Sequence, residues 1–157
     1  MKQLAAIALG SNLQSQWGDR AETLHEAIVR VRELGDVERI SSFYETDPVG
    51  YLEQPEFLNA ALLLETELDP VELLRALLGI EKSMGRDRSH SVAKGPRVID
   101  LDLILFGDVM MQTAELTLPH PALAERRFVL EPLAEIAPSL RHPVLDQTIA
   151  ELLLQLP

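Results

Sequence analysis

The sequence contains no cysteine and few aromatic residues, and both absences limit what the protein can be. Without cysteine it holds neither a disulfide framework nor a zinc–thiolate site, and it cannot use a thiol as nucleophile. A cysteine-free chain also suits the reducing cytoplasm, which is the location that we expect. Aromatic residues are only 4% of the chain, so the few phenylalanines are candidates for contact with a flat ligand.

Basic residues are also scarce, with 14 Lys and Arg against 25 Asp and Glu and a formal net charge of −11. Surfaces that neutralise a nucleic-acid backbone must be basic, so we expect no nucleic-acid partner. The apolar run at 3–9 is too short for a membrane span and resembles a first strand more than a signal segment. We therefore expect no membrane partner, and a polyanionic ligand must be met by a local basic cluster.

The glycine-rich phosphate loops of common nucleotide-binding folds are missing. Neither a Walker A loop nor a kinase glycine loop occurs, which excludes those folds. The composition, 46% hydrophobic and 25% charged, is typical of a soluble globular protein. A chain of 157 residues buries enough surface for a real core, so we expect residues 1–157 to form one domain.

Hydrophobic periodicity predicts an alternation of strands and helices. Asp19 with Glu22, and Asp69 with Glu72, have the spacing of capping boxes and predict two helix starts. Apolar and β-branched runs predict strands at 3–9, 37–46, 57–68 and 98–106, and helical patterns follow at 126–137 and 146–156. The order β-α-β-β-α-β predicts an α+β, ferredoxin-like core, an antiparallel sheet with helices on one face, followed by a helical C-terminal extension.

The strand at 98–106 contains two carboxylates with alternate spacing. Alternation puts Ile99, Leu101, Leu103 and Leu105 on one face, and Asp100 and Asp102 on the other with Val98, Ile104 and Phe106. The two carboxylates then lie roughly 7 Å apart at the backbone, and their repulsion favours a hard divalent cation such as Mg²⁺. An exposed strand face in a half-polar sheet explains the same pattern about equally well.

A basic cluster precedes this strand. It runs from Lys82 to Arg97 and comprises Lys82, Arg86, Arg88, Lys94 and Arg97. Within it, Gly85 and Gly95-Pro96 bracket a loop without hydrophobic periodicity. Phosphoryl transfer requires carboxylates that bind a metal ion and, beside them, cations that bind phosphate oxygens. A solvated basic loop is the alternative interpretation.

Two further groups of residues fit a ligand site. His120 is held between two prolines, with Arg126 and Phe128 following, although a lone loop histidine is more often incidental. Phe57 and Asn59 share a strand face and combine an aromatic plane with an amide, which suits a flat heterocycle. Core packing is the commoner role for Phe57.

Five spaced motifs together resemble the 6-hydroxymethyl-7,8-dihydropterin pyrophosphokinases of folate synthesis. They run in order along nearly the whole chain: Gly10-Ser11-Asn12-Leu13, Ser41-Ser42-Phe43-Tyr44 to Thr46, Gln54-Pro55 to Asn59-Ala60, Gly95-Pro96-Arg97 to Asp100-Leu101-Asp102, and Pro119-His120-Pro121 to Arg126 and Phe128. The resemblance implies transfer of the β,γ-pyrophosphoryl unit of ATP to the pterin hydroxymethyl oxygen, with release of AMP.

The resemblance also implies roles for individual residues. Asp100 and Asp102 would hold two Mg²⁺ ions that bridge the triphosphate, and Arg86 and Arg97 would act on the transferred group. The expected ATP contacts are Glu81, Arg88, Leu103, Thr117, His120 and Arg126. The expected pterin contacts are Thr46, Val49, Gly50, Phe57, Asn59 and Phe128. We expect a monomer whose partners are the small molecules ATP and hydroxymethyl-dihydropterin.

Two alternative functions stay open, and a departure from the family pattern motivates the first of them. The family usually has a basic residue and a tryptophan before the Gly-Pro-Arg run, where this chain has Ala93-Lys94. The alternatives are a catalytically weak relative that binds pterin or nucleotide, and a Mg²⁺-dependent phosphohydrolase that uses the same carboxylates.

Overall fold

The computed structural model of the protein describes residues 2–13, 15–46, 56–85 and 98–157. The first elements in chain order are β1 (Gln3–Ser11), α1 (Arg20–Val31), β2 (Asp36–Ile40), β3 (Tyr44–Thr46), β4 (Phe57–Thr66), α2 (Pro70–Ser83) and β5 (Asp100–Phe106). They are followed by β6 (Met111–Gln112), β7 (Thr117–Leu118), α3 (Arg127–Ile136), β8 (Arg141–His142), β9 (Gln147–Thr148) and α4 (Ile149–Leu154). No helix in the described ranges is long and apolar enough to cross a membrane.

Both predicted capping boxes start their helices. The Asp19 carboxylate accepts from the Glu22 amide at the start of α1, and Asp69 does the same for Glu72 at the start of α2. In each pair the glutamate side chain reaches back to the capping residue's own amide, so two otherwise unpaired backbone donors are satisfied.

The main sheet is antiparallel and has five strands. Its order is β2-β4-β1-β5, and β3 pairs with the other end of β4. β1 is therefore central and β5 lies at an edge. The predicted antiparallel sheet with packed helices is confirmed.

Helices cover both faces of the sheet, which differs from the expectation of helices on one face. On the first face, α1 and α2 bury residues such as Leu24 and Leu77 against the strands. On the second face, α3 packs on β4 with α4 beside it. The C-terminal helices form this layer because the second face is itself apolar, with Ala6, Ala61, Ile104 and Leu105 all buried.

The predicted alternation along β5 is correct at its start and wrong at its end. Ala6 pairs with Leu105 and Ile7 with Leu103, so Ile104 is one extra residue in β5. This bulge puts Leu105 on the second face and returns Phe106 to the first. Asp100 and Asp102 precede the bulge and keep the predicted shared face.

The extended segment predicted at 37–46 is divided into β2 and β3. Ser41 lies between them, and its amide donates to the Ala61 carbonyl at 2.9 Å. Its hydroxyl accepts from the Ala61 amide at 2.9 Å, so a side chain replaces one backbone acceptor of the ladder.

Candidate functional site

The two predicted metal ligands lie at the start of β5, on the second face of the sheet. Asp100 pairs with Gly10 and Asp102 with Ala8 on the central strand, and both aspartates are half-buried. The second-face residues of β1 beside them, Ala8 and Gly10, have no side chain larger than a methyl group. The carboxylates therefore lie beside a part of the central strand that has no bulky side chain on this face.

A row of paired residues crosses the sheet at Gly10. Tyr44 pairs with Asn59, Asn59 with Gly10, and Gly10 with Asp100. Gly10 has to be small, because a Cβ atom on it would lie 3.0 Å from Oδ1 of Asn59. The amide of Asn59 and the carboxylate of Asp100 are thus separated only by a residue without a side chain.

The predicted heterocycle contacts Thr46, Phe57 and Asn59 come together on adjacent strands. Thr46 pairs with Phe57, and the Asn59 side-chain amide donates to the Thr46 hydroxyl. Asn59 is only 6% exposed, so its side chain is already fixed without ligand. Phe57 lies two residues before Asn59 and shares its face.

A pocket of about 430 Å³ opens between β3 and α3. Thr46 and Phe128 line it from opposite sides, and the other lining residues are Tyr44, Glu45, Glu56, Arg127, Glu131 and Pro132. The Arg126 guanidinium lies 5.6 Å from the centre of the Phe128 ring. This geometry gives Phe128 an aromatic face on the pocket and a cation beside it.

His120 is attached to the outer side of β5. Its amide donates to the Ile104 carbonyl at 2.9 Å, and its ring Nδ1 accepts from the Ala122 amide at 3.2 Å. The pKa of His120 is lowered, chiefly by burial and also by Arg126, while Asp100 acts in the opposite direction. A neutral ring that accepts at Nδ1 carries its proton on Nε2, where it can donate to a ligand.

Glu81 and Leu103, two of the expected ATP contacts, are both buried. The carboxylate of Glu81 is 2% exposed and accepts from the Leu101 amide at 2.7 Å, between the two aspartates. The side chain of Leu103 is buried in the first core, so only its backbone faces the edge of the sheet. Thr117 is half-buried in the β6–β7 hairpin, which contacts β5.

Five predicted site residues fall outside the described ranges: Val49, Gly50, Arg86, Arg88 and Arg97. The basic loop between Gly85 and Pro96 falls there too, apart from Gly85 itself. Among the described residues, no group of three His, Asp or Glu side chains could hold a metal ion. Asp100 and Asp102 therefore provide hard oxygen ligands that suit Mg²⁺ only if water or substrate oxygens complete the coordination.

The sequence reasoning missed the side chains that hold the pocket walls together. Glu135 on α3 accepts hydrogen bonds from Ser42 and Tyr44, which are more than ninety positions away in the chain. The only local signal was that Glu135 lies seven residues after Phe128, which puts both on one helix face.

A family model and individual relatives match this chain, and they agree on one family. Residues 6–138 match the family described as 7,8-dihydro-6-hydroxymethylpterin-pyrophosphokinase. The 2-amino-4-hydroxy-6-hydroxymethyldihydropteridine pyrophosphokinase of Bacillus subtilis is 46% identical over 138 residues, covering 87% of this chain and 79% of that protein. The enzyme of the same name from Haemophilus influenzae is 41% identical over 153 residues, covering 96% of this chain and 91% of that protein.

Longer proteins match as well. The folic acid synthesis protein fol1 of Schizosaccharomyces pombe is 40% identical over 157 residues, and this chain spans 21% of its length. A crystal structure of Plasmodium falciparum HPPK-DHPS, wild type with STZ-DHP, superposes with a TM-score of 0.75 at 18% identity. That match covers 99% of this chain and 41% of the Plasmodium chain, and it shows the likeness of the fold.

Proposed function

The chain belongs to the 7,8-dihydro-6-hydroxymethylpterin-pyrophosphokinase family and is a pyrophosphokinase of folate biosynthesis, and on that premise we propose how its residues divide the reaction. The hydroxymethyl oxygen of 6-hydroxymethyl-7,8-dihydropterin attacks the β-phosphorus of ATP. The bond from that phosphorus to the oxygen bridging the α-phosphorus breaks, AMP leaves, and the hydroxyl proton passes to solvent.

The observation that carries this proposal is the row across the sheet. Asn59 and Asp100 flank Gly10 on neighbouring strands, so an amide for reading a pterin and a carboxylate for a metal lie side by side. A ligand over this row brings a heterocycle and a phosphate chain into reacting distance, and such positioning accounts for much of phosphoryl-transfer catalysis.

For the pterin we propose a site between Phe57 and Phe128. Asn59 and Thr46 would bind the polar edge of the ring, together with the backbone of Val49 and Gly50 outside the described residues. The existing Asn59–Thr46 hydrogen bond supports this role, because a side chain that is already ordered loses less entropy on binding.

For ATP we propose a site along the outer side of β5. His120 would donate from Nε2, and Arg126, Thr117 and the backbone of Leu103 would complete the contacts. The buried Glu81 would act through β5, because its carboxylate is occupied by the Leu101 amide. Arg88 would bind the triphosphate, and Arg86 and Arg97 would act on the transferred group.

Two Mg²⁺ ions, held by Asp100 and Asp102, are part of the same proposal. When bound, such ions neutralise charge on a triphosphate and orient it. The half-buried positions of the two carboxylates on one face of β5 support this assignment.

We also propose that residues 1–157 form a single ferredoxin-like pyrophosphokinase domain that acts as a cytoplasmic monomer. The strand order β2-β4-β1-β5, with α1 and α2 as crossovers on one face, supports the ferredoxin-like topology. The absence of cysteine supports the location.

The test is to mix the protein with ATP, Mg²⁺ and hydroxymethyl-dihydropterin and to follow AMP. AMP that forms only when the pterin is present supports the proposal. Hydrolysis of ATP without pterin would indicate a phosphohydrolase. Tight pterin binding without product would indicate a relative that binds but does not turn over.

A further inference from the structure

A carboxylate on α3 ties that helix to the junction of β2 and β3. The carboxylate of Glu135 accepts from the Ser42 amide at 3.0 and 3.1 Å, from the Ser42 hydroxyl at 3.0 Å and from the Tyr44 hydroxyl at 2.6 Å. Three donors from one short segment thus converge on a single side chain. No role in the proposed reaction has been given to any of these three residues.

The two segments joined by this contact are the two walls of the pocket. Phe128, Pro132 and Glu135 are spaced i, i+4 and i+7 on α3, so they lie on one face of the helix. Tyr44 and Thr46 alternate on β3 and both line the pocket. The contact between Glu135 and Tyr44 therefore lies at one end of the same pair of walls that carries Phe128 and Thr46.

Apolar packing alone does not fix the spacing of these walls. α3 buries Val129, Leu130 and Leu133 against the sheet, but hydrophobic contact is non-directional and tolerates small shifts of a helix. Hydrogen bonds have defined lengths and angles, and those to an ionised carboxylate are the stronger kind. The Glu135 contact is the directional link between α3 and β3 in the described part of the pocket wall.

The ionisation states favour the contact at neutral pH. The pKa of Tyr44 is raised to about 12, chiefly by its hydrogen bond to Glu135. The pKa of Glu135 is lowered, chiefly by the hydrogen bond from Tyr44. The phenol therefore stays a donor and the carboxylate stays an acceptor across the physiological range.

We propose that Glu135, through Ser42 and Tyr44, is a positioning residue for the pterin, because it sets the distance between Phe128 on α3 and Thr46 on β3. The proposal rests on the proposed pterin site. It assigns no contact between Glu135 and either substrate. Among the described ATP contacts only Arg126 adjoins α3, whereas the others lie on or beside β5 and on α2, so the effect should fall mainly on the pterin.

The experiment compares the wild-type protein with Glu135→Ala and Tyr44→Phe. We expect Glu135→Ala to raise the KM and the Kd for hydroxymethyl-dihydropterin about tenfold, with kcat at saturating pterin and the KM for ATP within about twofold of wild type. Tyr44→Phe should show the same pattern with a smaller shift, because the two Ser42 donors remain.

Glu115→Ala is the matched control. Glu115 is also an exposed carboxylate with two hydrogen bonds, both from Arg75 at 3.0 Å, and it lies outside the pocket lining. Its loss should leave both substrate constants unchanged. A second readout is the exchange rate of the Ser42 amide in the ligand-free protein, which should rise in Glu135→Ala and stay constant in Glu115→Ala.

Three results would overturn the inference. Glu135→Ala with unchanged pterin constants, or with equal losses for pterin and ATP, removes the positioning role while leaving the proposed function intact. A wild-type protein that neither binds nor converts the pterin overturns the proposed function and this inference together. The wild-type measurement therefore separates the two failures.

Discussion

At the scale of single residues, the space between Asn59 and Asp100 depends on Gly10, which has no side chain. The backbone of Gly10 has no left-handed conformation that would require glycine. Glycine is required here because a side chain would collide with Asn59. A methyl group at this position would meet Oδ1 of Asn59 at 3.0 Å, closer than that amide can tolerate without moving. The amide is held by Thr46, so the clash is transmitted to the proposed pterin contacts.

Gly10→Ala should therefore weaken pterin binding selectively. We expect a rise of about fivefold or more in the pterin Kd, roughly 1 kcal/mol, with a smaller change for an ATP analogue. Isothermal titration of each ligand measures this. Gly79→Ala is the matched control, because nothing lies within 4 Å of its added Cβ atom and alanine favours a helix. Equal losses for both ligands in Gly10→Ala would contradict the explanation.

The two aspartates of β5 should behave as functional rather than structural residues. Asp100→Ala and Asp102→Ala should each reduce kcat/KM at least about 100-fold, because each removes a proposed metal ligand. Each variant should keep its fold, because the proposed role of these carboxylates is to bind metal.

Activity at several Mg²⁺ concentrations and urea unfolding measure the two effects of these substitutions. Asp108→Ala is the control, as this exposed aspartate follows the same strand. Near-normal activity of either strand variant at limiting Mg²⁺ would remove the metal assignment.

At the scale of elements, β5 is held at its edge by a buried side chain of α2. On that side the Leu101 amide donates to the carboxylate of Glu81 on α2, at 2.7 Å. The strand that carries both aspartates is therefore fixed by β1 on one side and by a helix side chain on the other.

Glu81→Ala should destabilise the protein by about 2 kcal/mol, because a buried backbone donor loses its acceptor. Urea unfolding measures this change. Lys82→Ala provides the comparison, as the neighbouring side chain is exposed on the same helix turn. A Glu81→Ala protein as stable as Lys82→Ala would show that water or a rearranged backbone satisfies Leu101.

Local patterns predicted the elements well, and non-local contacts explain what they missed. The capping boxes of α1 and α2 depend on residues three apart, so the sequence is sufficient to find them. The bulge at Ile104 depends on pairing with β1 almost a hundred residues earlier, and no periodicity within β5 reveals it.

The same distinction applies to the site. Alternation within β5 predicts that Asp100 and Asp102 share a face, whereas Glu135 and Tyr44 meet across 91 positions of sequence. Apolar residues on both faces of β5 were visible beforehand. They indicate a second layer of helices only once it is known that β1 and β4 are also apolar on that side.

At the scale of the whole molecule, the sheet separates two cores that share strands but no helix. The first contains the buried residues of α1 and α2, and the second contains those of α3 and α4. Phe128 belongs to the α3 layer, while the two aspartates belong to the sheet.

This division has a consequence for how the protein opens and how it is inactivated. Segments that pack as a unit can open as a unit, below the free energy of complete unfolding. We expect α3 and α4 to be such a unit, so that their amides exchange together while β1 and β4 remain protected. In the proposed site the pterin bridges α3 and the sheet. A saturating pterin should therefore slow exchange in α3 by the free energy of its binding, about 2.7 kcal/mol at 100 times its Kd.

Hydrogen exchange with pterin, with an ATP analogue and without ligand measures this coupling. Uniform exchange across both layers would show that the molecule opens only as a whole. If the two layers open separately, heating should abolish pterin binding before the first core unfolds. The bound substrate would then stabilise the helical layer that contributes to its own binding site.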